Sequence, residues 1–185
     1  MANHVVLVGL MGSGKTTVGR RLAVRLDRHF VDADAALEEI ADRTIAEIFE
    51  QDGEAAFRDL ESDTLEELLE HHEPCVIASG GGLVLRSDNR ARLRRRDVTV
   101  VLLDAGPRFL ASRVEGRPHR PLLHGPESTI DVLTRLHADR APLYAEVADL
   151  TVPVEPFHAS EDKPKRALAE RIAELVVAHE GQVSA

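Results

Sequence analysis

The chain has 185 residues, 43% of them hydrophobic and 30% charged, enough to bury one sizeable core without disulfides or repeats. Thirty-two acidic residues against twenty-three Lys and Arg leave a formal charge of −9, which repels nucleic-acid phosphates and argues against general nucleic-acid binding. Cys75 is the only cysteine, so neither an intrachain disulfide nor a cysteine cage for zinc can form within one chain, and no run of about eighteen apolar residues is present to cross a membrane.

Met1-Ala2-Asn3-His4 leads straight into a strand-like segment rather than a charged and apolar signal region, so a cytoplasmic location is the default expectation. His4-Val5-Val6-Leu7-Val8-Gly9 is a nearly continuous apolar run ending in glycine, the pattern of a parallel strand buried on both faces. Beyond a glycine-rich turn, Val18, Leu22 and Leu26 recur at helical spacing between arginines, and the pattern stops near Asp27. Short apolar runs return at His29–Val31, Cys75–Ala78, Val98–Leu103 and Leu150–Val152, predicting five strands. The stretches Leu83 to Arg96 and Pro107 to Tyr144 are long enough for crossover helices. Strand and helix therefore alternate as in a three-layer α/β fold, a parallel sheet with helices on both faces.

The stretch between Asp34 and Pro74 holds more helix than one crossover needs, with a break at Asp52-Gly53 and strong periodicity from Glu54 to Leu69. It predicts a helical insertion over the sheet, at about residues 34–73. Glu115 to Ser128, rich in Gly, Pro, Arg and His, predicts a mobile loop or lid. Pro164 to His179 predicts a closing helix with Leu168, Ile172, Leu175 and Val176 on one face. The whole chain, 1–185, reads as a single domain.

Gly9-Leu10-Met11-Gly12-Ser13-Gly14-Lys15-Thr16 has the P-loop spacing, between a predicted strand and a predicted helix. Such a loop curls so that successive N–H groups and the helix N-terminus point at phosphate oxygens, while Lys15 adds a point charge and Thr16 offers its hydroxyl to Mg²⁺. Gly12, Ser13, Gly14, Lys15, Thr16 and Thr17 are the expected nucleotide contacts. A dinucleotide fingerprint needs a third glycine where Thr17 stands, so the expected ligand is a nucleoside triphosphate.

Asp32 and Asp34 stand two residues apart at the end of the second apolar run, so in extended chain they project to one side, toward the crevice at the strand ends. Asp32 is then placed to help hold hydrated Mg²⁺, and Asp34 to meet the hydroxyl that attacks the γ-phosphate. Asp34 also precedes Ala35-Ala36-Leu37-Glu38 and is equally placed to cap a helix.

These segments are joined, in order across most of the chain, by Ile45-Ala46-Glu47-Ile48-Phe49, Gly53 to Glu61 with its Phe57-Arg58 pair, Ser79-Gly80-Gly81-Gly82, Arg120-Pro121-Leu122-Leu123 and Arg140-Ala141-Pro142-Leu143-Tyr144. Together they resemble the shikimate kinases, P-loop kinases of small molecules with a nucleoside monophosphate kinase-like fold. The resemblance implies transfer of the ATP γ-phosphate to the 3-hydroxyl of shikimate, a small cyclic polyol bearing one carboxylate. It implies Arg58 and Arg140 as carboxylate clamps, a task for which the planar guanidinium fork suits better than lysine. It further implies Glu61 as the i,i+3 partner that orients Arg58, and Gly80, Gly81 and Gly82 as backbone lying close to the ring. Arg113 is implied against adenine and Arg120 on the transferred phosphoryl group, making Lys15, Asp34 and Arg120 the expected catalytic residues. The lid offers two Arg-Pro pairs, Arg117-Pro118 and Arg120-Pro121, and the apolar residues after the second favour Arg120. A kinase for another hydroxy acid such as gluconate shares the cradle, and a nucleotide-binding regulator without turnover is the alternative outside enzymes. The protein is expected to act as a monomer on a small molecule, without nucleic acid or membrane.

Arg90, Arg92, Arg94, Arg95 and Arg96 form the most basic run, and without interleaved aromatics it reads as a solvated helix face. The histidines show no paired ligand spacing, so no zinc is expected, and Cys75 reads as a small core residue opening a buried strand.

Overall fold

The computed structural model describes residues 3–114, 127–160 and 163–183. Its strands are β1 (His4–Val8), β2 (His29–Asp32), β3 (Cys75–Ala78), β4 (Val98–Asp104) and β5 (Leu150–Pro153), which pair in parallel in the order β2-β3-β1-β4-β5. Each ends within a residue of its predicted limit. β1 lies in the middle, with Val6 opposite Ile77 on one side and Val100 on the other. Val5, Val6, Leu7 and Val8 are all at 0% exposure, so both faces of β1 are covered, as its unbroken apolar run requires.

The helices are α1 (Lys15–Leu26), α2 (Ala33–Ala41), α3 (Ile45–Gln51), α4 (Gly53–Leu69), α5 (Ser87–Leu93), α6 (Pro107–Val114), α7 (Thr129–Val147), α8 (Glu155–Ser160) and α9 (Pro164–Val183), with a 3-10 turn at Leu83–Leu85. α1 buries Val18 and Leu22 and packs against α9. It stops at Asp27, whose φ of 53° is left-handed and whose N–H closes onto the carbonyls of Ala23 and Val24.

The insertion is helical as predicted and has a small core of its own. Leu37, Ile48 and Phe57 are buried there, with Ile45, Phe49 and Leu60 packed around them and the Phe49 and Phe57 rings 4.6 Å apart. Thr44 starts α3 through a capping box with Glu47, and α4 starts at the predicted break.

Two expectations change. The basic run is ion-paired rather than simply solvated: Arg90 and Arg94 meet Glu146 of α7, Arg92 meets Glu66 of α4, and Arg95 meets Asp97. The pairs of Arg90 and Arg92 tie α5 to α7 and α4. The connection from β5 to α9 contains α8, which no apolar periodicity had signalled. Cys75 is buried at the start of β3, and burial pushes its thiol up, in keeping with a core role. Residues 115–126, most of the predicted lid and including Arg117 and Arg120, lie outside the described residues.

Candidate active site

The C-terminal ends of three adjacent strands, β1, β3 and β2, supply the site. β1 runs into the P-loop at Gly9, where φ is +137° and a Cβ would stand 2.7 Å from the Leu103 carbonyl oxygen, so only glycine lets the chain leave the sheet here. Lys15 Nζ donates to the carbonyl oxygens of Gly9 at 2.7 Å and Leu10 at 3.1 Å, which folds the ammonium over its own loop.

β2 ends at Asp32, and Thr16 Oγ1 donates to Asp32 Oδ2 at 2.8 Å. The acid pair is not on an extended chain. Asp32 takes the N-cap position of α2 without a side-chain capping bond, and Asp34 lies in the first helical turn, so Asp34 is not the cap either. The chain turns helical because Ala33 and Leu37 form a buried face at helical spacing. The two carboxylates still feel each other. Burial, then the charge of Asp32, raises Asp34 above the ordinary carboxylate range, against the opposing pull of Lys15 and Arg58.

β3 leads into Ser79-Gly80-Gly81-Gly82, anchored by the Ser79 hydroxyl donating to the Leu7 carbonyl at 2.9 Å. A Cβ on Gly80 would lie 2.5 Å from Glu61 Oε1 and 2.9 Å from Asp34 Oδ1, and one on Gly82 would collide with the Arg58 guanidinium. At Gly80 and Gly82, though not at Gly81, a side chain would thus displace the charged ends of Asp34, Arg58 and Glu61.

Arg58 Nη1 donates to Glu61 Oε2 at 2.7 Å, and Nη2 donates to Glu54 Oε1 at 3.1 Å. Glu61 is only 5% exposed, which removes this pair from the class of surface salt bridges. Burial raises Glu61 and the adjacent Arg58 opposes the shift. Its Oε1 is buried and takes no hydrogen bond among the described residues. On α7, Arg140 Nη1 donates to the Gly81 carbonyl at 3.0 Å and the Tyr144 hydroxyl to the same oxygen at 2.6 Å. At the other end of the P-loop, Arg113 Nε donates to the Gly12 carbonyl at 2.9 Å, with the guanidinium against Phe109 and His158.

These groups surround one cavity of about 960 Å³, a size suited to small molecules. Lys15, Thr16, Thr17, Asp32, Asp34, Arg58, Glu61, Arg113, Arg140, Gly12, Gly14 and Gly80 to Gly82 all line it. Ser13 does not: its hydroxyl is buried with no partner among the described residues, so any phosphate contact it makes falls to its backbone. Sequence reasoning assigned no role to the apolar wall formed by Ile45, Ala46, Phe49 and Phe57, nor to Lys165 of α9 or to Tyr144. Ile45 to Phe49 had been noticed as a motif, but its place in the cavity wall, beside a Phe57 ring that lies under the Arg58 guanidinium, becomes visible only once α3 and α4 are docked. Among the described residues no group of three or more His, Cys, Asp or Glu is placed to hold a metal ion; Thr16 and Asp32 are hydrogen-bonded oxygen donors in the wall of the cavity.

The sequence model of the family described as shikimate kinase matches residues 11–176. The chain belongs to the shikimate kinase family. A shikimate kinase of Bradyrhizobium diazoefficiens is 43% identical over 180 residues, which span 96% of this chain and 81% of that protein. The structure of shikimate kinase from Acinetobacter baumannii in complex with shikimate superposes with a TM-score of 0.87 at 36% identity, covering 97% of this chain and 96% of that one. A gluconokinase from Sinorhizobium meliloti reaches a TM-score of 0.55 at 21% identity over 96% of this chain and 97% of its own, a likeness of fold alone. As a shikimate kinase family member the chain is an ATP-using kinase. No helix among the described residues is long and apolar enough to cross a membrane.

Proposed function

We propose that this chain transfers the γ-phosphate of ATP to the 3-hydroxyl of shikimate, giving shikimate 3-phosphate and ADP. One observation carries the reading: Arg58 and Arg140, two guanidiniums suited to one carboxylate, share a cavity with the P-loop, and Asp34 lines the same cavity, where the charges of both Lys15 and Arg58 act on it. Arg58, oriented by Glu61, and Arg140, held by the Gly81 carbonyl, grip the acceptor's carboxylate and so fix which hydroxyl faces the triphosphate. Asp34 accepts a hydrogen bond from that hydroxyl and takes its proton as the new P–O bond forms and the bond to ADP breaks. The P-loop amides, the N-terminus of α1 and Lys15 balance phosphate charge, and Arg113 lies at the base side of the nucleotide.

Thr16 and Asp32 fit Mg²⁺, being hard oxygen donors beside the cradle, and would hold the ion through its hydration shell. When bound, the ion supplies charge neutralisation on the outer phosphates. Arg120 is proposed to meet the transferred phosphoryl group from a lid at about 115–128 that closes over a single domain. Action as a monomer is part of the same proposal.

The test is an acceptor panel with ATP and Mg²⁺, read by ADP release and product mass. Shikimate should be phosphorylated at its 3-hydroxyl and gluconate turned over at least about a hundredfold more slowly. ATP binding with no phosphorylation of any hydroxy acid would establish the regulator instead, and preferential turnover of gluconate would move the chain to the other acceptor.

A further inference from the structure

We infer that Tyr144 is a positioning residue for the acceptor, acting through the Gly81 carbonyl on Arg140. The inference rests on the proposed reading of Arg140 as a carboxylate clamp. Arg140 and Tyr144 are four residues apart on α7 and therefore share one face of the helix. They are 6% and 4% exposed, and both reach one atom, the Gly81 carbonyl oxygen, at 3.0 Å from Arg140 Nη1 and 2.6 Å from the tyrosine hydroxyl. A carbonyl oxygen has two lone pairs, and these donors occupy both.

Gly81 stands where the two halves of the cavity meet. A Cβ on it would lie 3.5 Å from the Gly9 carbonyl oxygen, 3.6 Å from Arg140 Nη1 and 3.7 Å from the Met11 amide nitrogen. The direction of its carbonyl therefore sets where Arg140 Nη1 is held, and with it where the remaining N–H groups of the fork point. Tyr144 does not line the cavity, so it reaches the acceptor only through this carbonyl and through Arg140, whose guanidinium its hydroxyl also meets. Burial pushes its phenol up to about 12, so the hydroxyl remains a donor throughout the neutral range. Removing the hydroxyl would leave the carbonyl still bonded to Arg140, with no buried polar atom orphaned but with the segment less firmly aimed. Arg140-Ala141-Pro142-Leu143-Tyr144 thus places two anchors on a single oxygen.

Tyr144→Phe keeps the ring and its packing. The expected result is a KM for shikimate raised about tenfold, with kcat and the KM for ATP within about twofold of the unsubstituted protein. Combining Tyr144→Phe with Arg140→Ala should raise the shikimate KM no further than Arg140→Ala alone. An unchanged shikimate KM in Tyr144→Phe, an equal loss for both substrates, or additive effects in the double variant would overturn the inference. Failure of the functional reading shows elsewhere, as absence of shikimate-dependent ADP release by the unsubstituted protein, and it would take this inference with it.

Discussion

Asp34 carries opposed demands in one carboxyl group. Burial and the neighbouring Asp32 favour its neutral form, and Lys15 and Arg58 favour the anion, with a net upward shift. A base with a raised pKa keeps an abstracted proton more readily, which suits the proposed role. The shift also costs stability. The folded chain holds the Asp34 proton more tightly than the unfolded chain does, so the cost is absent below the unfolded pKa, grows as pH rises through it, and is complete above the folded value. Asp34→Asn should therefore raise the melting temperature at pH 7 by about 2–5 °C, with the gain shrinking toward about pH 4. Scanning calorimetry across that range checks it, and a lower melting temperature at pH 7 would mean that the attractive partners outweigh burial.

At the scale of elements, α1 is pressed onto the sheet at Gly19, where a Cβ would come within 2.7 Å of Phe30 Cε2 and 3.1 Å of Leu7 Cδ1. Alanine is the better helix former by about 1 kcal/mol, so the outcome turns on whether the aromatic ring can move. Phe30 is only partly buried on the edge strand β2, but the neighbouring Leu7 is fully buried, and Gly19→Ala should lose about 1–3 kcal/mol in denaturant unfolding. Because Phe30 is two residues before Asp32 on β2, the same variant should weaken ATP binding; equal or higher stability would show that α1 has room. β1, β3 and β4 were legible because buried parallel strands are apolar on both faces, whereas the partly exposed edge strands β2 and β5 left shorter runs. α8 was not: Glu155–Ser160 is six residues long, too short for a helical period to repeat. The acid pair was read on the wrong backbone, since a period of two assumes a continuing strand and the chain bends into α2 at Ala33.

The molecule as a whole brings two half-sites together through strand order. β1 sits between β3 and β4, so the phosphate cradle at its end lies beside the glycine segment that follows β3, and β2 brings the acid pair to the same edge. α4 and α7 then add Arg58 and Arg140 from elements far apart in sequence. The cradle was legible from spacing alone, because its geometry is local. Arg58, Glu61 and Arg140 became legible only through the family resemblance, because no local pattern separates a buried arginine from one in a surface ion pair. The shared bond of Arg140 and Tyr144 to Gly81 depends on α7 docking beside the glycine segment, and the Phe49 and Phe57 wall on α3 packing against α4, so the motifs that hold these residues do not reveal either contact.

The central claim is that one cavity binds both substrates and that Asp34 acts at their junction. Titration calorimetry of ATP and of shikimate into Asp34→Asn, alongside steady-state turnover, tests it most directly. The account predicts that both ligands bind within about fivefold of the unsubstituted protein while kcat falls by at least about a hundredfold. Turnover close to that of the unsubstituted protein, or loss of both ligands together, would contradict it.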